Sequence, residues 1–315
     1  MSKIEFDNKN KEIFALIDSN ALIHRAYHAY PSTLTTVSGE QVNAVYGFCS
    51  MLFNVFETIK PTYIACAFDL PAPTFRHQKF VGYKAHRPKA DEELKSQFDR
   101  VKQVVTTFNI PIFAVEGYEA DDVIGTLCKQ IDELDPGNQV NTIIVTGDKD
   151  ALQLVDVNTK VWLPGKTFKD MKLYGVEEVI ARFGLNPKQI IDLKALAGDS
   201  SDEIPGVKGV GEKGATDLLK EYGSLDNIYR NLNSVASRYQ NKLIEGEEMA
   251  EMSKQLATIV TDVPIKLDLE DSVLSNYDIS SVTRLFQELQ FRSLIKRLPK
   301  SSNMSKAEDQ LNIFG

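Results

Sequence analysis

At 315 residues, with 43% hydrophobic and 25% charged residues, the chain is long enough for one large domain or two modest ones, and its charge content is ordinary for a globular protein. No apolar run reaches the ~18–20 residues of a membrane-spanning helix. The N-terminus (MSKIEFDNKNKEIFALID) lacks an apolar stretch followed by a small-residue cleavage site, so we expect a cytoplasmic protein with no membrane contact.

The first half alternates apolar runs with helical patterns. Residues 13–18 (IFALID) read as a buried strand, 42–58 as a helix with Val45, Phe48, Leu52 and Phe56 near one face, and 63–69 (YIACAFD) as a second strand. A helix over 92–108, a third strand over 110–115, a helix over 120–134 and a fourth strand over 142–146 (TIIVT) follow. This alternation predicts an α/β fold around a mainly parallel sheet. After about Leu173 the strand signals fade. Segments 176–183, 187–197, 212–222, 225–231, 249–260 and 279–289 read as helices punctuated by Gly or Pro, which predicts a second, mostly helical domain. From Pro299 the chain turns polar before ending in LNIFG, and a flexible tail is expected there. Cys49, Cys66 and Cys128 lie far apart in apolar stretches without zinc spacing, as expected of buried free thiols in a reducing compartment.

Acids gather where this fold places ligands, outside the carboxyl ends of the strands. Asp18 closes IFALID and Asp69 closes YIACAFD. Glu119, Asp121 and Asp122 form an EADD run after the third strand, and Asp148 and Asp150 a DKD run after the fourth. GDSSDE supplies Asp199 and Asp202 from the helical region. A single Asp of this kind is explained by helix capping or the helix dipole. The same explanation would have to hold independently at every strand end. Converging carboxylates repel unless cations neutralise them, and hard divalent ions with oxygen ligands do so. Without these nine acids, the rest of the chain is nearly neutral, which removes the obstacle that a net charge of −8 poses to binding a polyanion. Carboxylates suit Mg²⁺ or Mn²⁺ better than zinc, and His24 and His28 have no HExxH glutamate between them. Two ions ~3.5–4 Å apart would support phosphodiester hydrolysis.

Two stretches suit DNA. From Leu70 to Ala90 there is no acid, and Phe75, Phe80 and Tyr83 interleave with Arg76, Lys79, Lys84, Arg87 and Lys89, as cations tracking phosphates and rings stacking on bases would require. Gly206-Val-Lys-Gly-Val-Gly211, with Lys208 and Lys213, resembles a helix–hairpin–helix turn whose glycines bring backbone N–H groups to phosphates.

The ordered series IDSNALIHRAYHAYP, AVYGF, AFDLPAPTFRH, YKAHRP, GYEADDVIGTL, TGDKDALQLV and GDSSDEIPGVKGVGEKGA resembles the 5′ nuclease domain at the N-terminus of bacterial DNA polymerase I, a relative of the flap endonucleases, from about Phe14 to Pro299. The resemblance implies a PIN-like nuclease domain (1–185) with a helical arch (75–95), a helical DNA-binding domain (186–299) with a helix–hairpin–helix, or three-turn, element at 204–220, and a flexible tail (300–315). It assigns Asp18, Asp69, Glu119, Asp121 and Asp122 to a first metal cluster, and Asp148, Asp150, Asp199 and Asp202 to a second, with Asp69 and Asp121 central to catalysis. It gives Lys84 and Arg87 the scissile-phosphate region, Tyr83 a base-stacking role, and Arg25, Arg76, Lys208, Gly209, Gly211 and Lys213 contacts to DNA. It also implies a potassium ion at the glycine turn. The implied activity is that of a two-metal 5′-3′ exonuclease and flap endonuclease on flap, nicked or 5′-overhang duplexes, including RNA primer strands, acting as a monomer at the nucleoid in replication and repair. No polymerase activity is expected of this chain. Gln310 to Phe314 (QLNIF) resembles a sliding-clamp-binding peptide. Glu203 departs from the family's SDNIPG, which has Asn at that position. Two other readings stay open: a PIN-type ribonuclease of single-stranded RNA, and a non-catalytic DNA-binding scaffold.

Overall fold

Every side chain of strand β1 (Glu12–Asp18) from Phe14 onward is buried, and the strand runs through the middle of the molecule. The protein is described from a computed structural model over residues 11–86, 91–137, 139–165, 170–274 and 277–298. After β1 come α1 (Ser19–Ala29), α2 (Asn43–Thr58), β2 (Tyr63–Ala67), α3 (Phe75–Lys79), α4 (Glu92–Thr107), β3 (Ile112–Phe113), α5 (Ala120–Leu134) and β4 (Val140–Val145). A 3-10 turn (Asp150–Leu154) leads to β5 (Thr159–Pro164) and β6 (Met171–Tyr174). Then follow α6 (Val176–Phe183), α7 (Gln189–Ala197), α8 (Glu212–Tyr222), α9 (Leu225–Arg230), α10 (Ser237–Glu245), α11 (Glu247–Ala257), α12 (Ile279–Glu288) and α13 (Arg292–Ile295).

The sheet order is β3-β2-β1-β4-β5-β6, with every neighbouring pair parallel except β5–β6. Successive β1 side chains enter opposite cores: Phe14 and Leu16 meet α5 and the helical half, whereas Ala15 and Ile17 meet α1, α2 and α4. A parallel sheet covered on both faces therefore reads as an unbroken apolar run, as it does here. The three cysteines are buried free thiols.

Three expectations shift. First, the sequence reading misses β5, which lies between β4 and β6, and the short edge strand β6, which pairs antiparallel with it as Trp162↔Leu173. Second, residues 75–86 hold one short helix and turns, while Arg87 lies outside the described residues. Third, 186–299 is not one separately packed body. Its first helices share a continuous core with β1, β4 and α5, and α12 and α13 return to pack with α2 and α4. Val282, Phe286 and Phe291 join the ring cluster of Phe53 and Phe108 there, and Ser272 accepts a hydrogen bond from Ile64 N at the foot of β2.

Candidate metal centre

The β1, β2 and β4 carboxyl ends point at one region, and the acids following them line two adjoining cavities. The first, about 420 Å³, is bounded by Asp18, Asp69, Glu119, Asp121 and Asp148, with Lys84 at its side. The second, about 830 Å³, is bounded by Asp148, Asp150, Asp199 and Asp202, with Lys194. Asp148 and His24 border both.

Local geometry sets each carboxylate. Asp18 caps α1 through Ala21 N (3.0 Å) and accepts from Thr146 Oγ1 (2.5 Å). Asp69 accepts from Ala120 N (2.7 Å), which ties β2 to the start of α5. Asp148 accepts from Asp150 N (2.9 Å). Lys194, on α7, bridges Asp150 and Asp199. Among the described residues no three His, Cys, Asp or Glu side chains stand already drawn together as a ligand group. Instead the acids ring the cavities, most of them turned to a partner of their own.

Their mutual repulsion is nonetheless large. Burial, then Asp148, Asp18 and Asp150, hold the Asp121 carboxyl well above its usual range. Burial pushes Asp18 up to about 7, with Asp69 and Asp148 adding to it. Burial, reinforced by Asp148, likewise takes Asp150 up to about 7 even though Lys194 opposes the shift. For Asp199, Lys194 outweighs burial and lowers the group to about 2. The Asp121 Oδ1 atom is buried without a hydrogen-bond partner, a costly arrangement for a carboxylate. An all-carboxylate donor set with an orphaned oxygen in a shared cavity fits a hard divalent cation.

Eight of the nine sequence-predicted acids thus border the cavities, and Asp122 does not. It is fully buried in a two-pronged ion pair with Arg76 (2.7 and 2.8 Å), and also accepts from Glu119 N and Val260 N. Consecutive residues of a helix diverge by about 100°, so Asp121 and Asp122 cannot face the same cavity. Arg76 is corrected with it. Only 3% exposed, its guanidinium also donates to Leu256 O and Thr258 O, and it is withdrawn from any DNA surface. Tyr83 is corrected too. It is 2% exposed and donates to Glu119 (3.1 Å), so its ring offers no open face to a base.

Lys84 remains at the first cavity, with its ammonium 3.0 Å from Glu119 and 3.7 Å from Asp202. Burial alone would depress the ammonium, but Glu119, Tyr83 and Asp202 raise it above its usual range. Arg25 borders the second cavity and donates to Gly165 O. In the glycine turn, Val207 and Val210 are buried, whereas Lys208, Gly209, Gly211 and Lys213 are exposed. Gly209 has φ +83°, and Gly211 caps α8 facing open space. Gly206 admits no side chain, since a Cβ would stand 2.2 Å from Gly198 N. Lys194 escaped the sequence reading. Its only signal was a lone lysine in the apolar helix QIIDLKALA, five positions before Asp199.

Comparison with known proteins agrees with this architecture. Residues 13–184 match the family described as 5′-3′ exonuclease, N-terminal resolvase-like domain, and 185–280 match 5′-3′ exonuclease, C-terminal SAM fold. DNA polymerase I of Chloroflexus aurantiacus is 48% identical over 296 residues, covering 91% of this chain and 31% of its own length. That of Bacillus subtilis is 39% identical over 297 residues, covering 94% and 33%. The chain therefore spans about a third of the length of these curated relatives. Among solved structures, T5 D15 protein co-crystallised with metal ions superposes with a TM-score of 0.64 at 19% identity, covering 89% of this chain and 98% of its own. The catalytic core of Rad2 in complex with DNA substrate gives 0.56 at 16%, covering 92% and 93%.

Proposed function

The chain belongs to the 5′-3′ exonuclease family, and from that premise we propose that it hydrolyses phosphodiester bonds near the 5′ ends of flapped, nicked or 5′-overhang DNA with divalent cations. The observation that carries this reading is the ring of eight carboxylates around two adjoining cavities, with the Asp121 Oδ1 atom left without a partner. Asp18, Asp69, Glu119 and Asp121 would hold one ion and Asp150, Asp199 and Asp202 another, with Asp148 between them. Mg²⁺ or Mn²⁺ bound there supplies Lewis acidity to the phosphoryl group and a lowered pKa to water.

The chain's own residues do the rest. Lys84 carries a fixed positive charge into the first cavity, where phosphoryl charge develops. Lys194 keeps Asp150 and Asp199 from repelling each other. The α8 turn grips the duplex backbone through its exposed N–H groups, Lys208 and Lys213, without reading sequence. A potassium ion at that turn belongs to the same reading. Arg87 keeps its expected role at the scissile phosphate, outside the described residues. The clamp-binding peptide from Gln310 to Phe314 also lies outside them, and a clamp pull-down with and without the last six residues tests it. Action as a monomer at the nucleoid, in primer removal and repair, completes the proposal. Among the described residues no helix is long and apolar enough to cross a membrane.

A 5′-labelled flap substrate tests the reading. Cleavage near the branch is expected in Mg²⁺ and none in chelator, with linear RNA left intact. Chelator-resistant cutting, or a preference for RNA, would overturn it. A second expectation concerns the turn. Lys208→Ala and Lys213→Ala should each weaken DNA binding alike on all sequences and lower the salt slope by about 1. An unchanged slope would remove the turn from the interface.

A further inference from the structure

Glu203 occupies the position where the resembling family carries Asn, and its backbone shows why a small amide suits that place. Its φ is +57°, in the left-handed region that long side chains seldom adopt. Lys84 is also left-handed, with φ +52°. The two segments meet. Lys84 N donates to Asp202 O (3.2 Å), His86 N donates to Glu203 Oε2 (2.9 Å), and the other Glu203 oxygen pairs with His86 Nδ1. The His86 side chain is 90% exposed, so it is held by this pairing and not by packing. Between these ties, the Lys84 ammonium is delivered to Glu119, the N-cap of α5, and to Asp202.

We propose that Glu203 is a positioning residue, which clasps His86 from the helical half and fixes Lys84 over the acid cavities before DNA arrives. An Asn at this place is one methylene shorter and uncharged. In the left-handed conformation it bonds its own neighbouring backbone. The carboxylate of this chain instead reaches across to a second segment and orders it in advance. Pre-ordering lowers the barrier of the step in which Lys84 acts more than it changes substrate binding. The kinetic part of this inference rests on the nuclease reading above; the clasp itself does not.

The test uses the full chain and the variants Glu203→Asn, Glu203→Gln, His86→Ala and the double variant Glu203→Asn/His86→Ala. Without DNA or metal, tryptic cleavage after Lys84 should quicken roughly tenfold in Glu203→Asn, less in His86→Ala, which keeps its backbone N–H to Glu203, and in the double variant no further than in Glu203→Asn. Glu203→Gln keeps an acceptor for His86 N and should recover part of the protection. The urea midpoint should not move, which separates the clasp from a general loss of folding. On flap DNA in Mg²⁺, kcat should fall roughly tenfold in Glu203→Asn with KM within about twofold. Tryptic rates equal to the parent's, additive effects in the double variant, or a kcat that rises would overturn the proposal. If the parent cuts no flap while the tryptic pattern holds, the nuclease reading fails and the clasp stands.

Discussion

In chelator at pH 8, the Asp121→Asn chain should need more denaturant to unfold than its parent, while in Mg²⁺ its flap cleavage should drop by about 10²–10³-fold. The cleavage estimate follows from removing one preorganised charged group from a site of developing phosphoryl charge. The stability gain follows from burial first and from repulsion second. Burial and the neighbouring acids Asp148, Asp18 and Asp150 hold Asp121 well above the range of an exposed carboxyl. A carboxyl with a raised pKa in the folded state makes stability fall as pH rises, because the unfolded chain releases its proton first. For Asp18 and Asp150, which titrate at about 7 when folded against 3.8 otherwise, that fall lies between about pH 4 and 7. It amounts to roughly 1.4 kcal/mol per pH unit for each group at most. Below pH 4 parent and variant should converge. Their difference should grow as pH rises above the range of an exposed carboxyl, to about 1–3 kcal/mol at pH 8, and Mg²⁺ should narrow it by stabilising the parent alone. Urea titrations at pH 4, 6 and 8, with and without Mg²⁺, measure this. A variant less stable than the parent at pH 8 in chelator would mean that the acids do not strain the fold.

The second large effect lies at Arg76. Replacing it with Ala should lower unfolding free energy by about 3–5 kcal/mol, because Asp122 would be left charged and buried without its partner. The pair is inaccessible to solvent, with relative exposures of 3% and 0%, and it joins α3, α5 and the turn after α11 at one point. Arg76→Ala/Asp122→Leu should recover much of the loss, since two apolar side chains leave no lone charge. DNA affinity measured against salt well below the unfolding transition should keep its slope in the single variant. A reduced slope with unchanged stability would return Arg76 to the DNA surface.

The strand-end acids were legible because chemistry and topology agree on them. The fold puts ligands at the carboxyl ends of parallel strands, and an Asp or Glu stands at or soon after the ends of β1, β2, β3 and β4. Helix α8 was legible to the residue, since Gly211 before it and Gly223 after it punctuate a clear period. What separates Asp121 from Asp122 was not legible. Helical phase says that they diverge, but only the packed structure says which one meets the cavity and which meets Arg76, 46 positions away. Tyr83 was misread for a related reason: an aromatic among cations suits a stacking platform and a buried anchor equally well, and its bond to Glu119, just before α5, decides between them. The ties of Lys194 to Asp150 and of α12 to α4 span long stretches of chain, which local periodicity does not encode.

The homing of α12 and α13 onto α2 and α4 bears on any attempt to shorten this chain. Trimming at residue 280, where the family match ends, would not shave off a dispensable appendage; it would unroof the rings of Phe53 and Phe108 and leave an oily crater beside the sheet. Helices α12 and α13 act as a lid-stone for the layer built from α2 and α4, so segments more than 170 residues apart in the chain stand or collapse together.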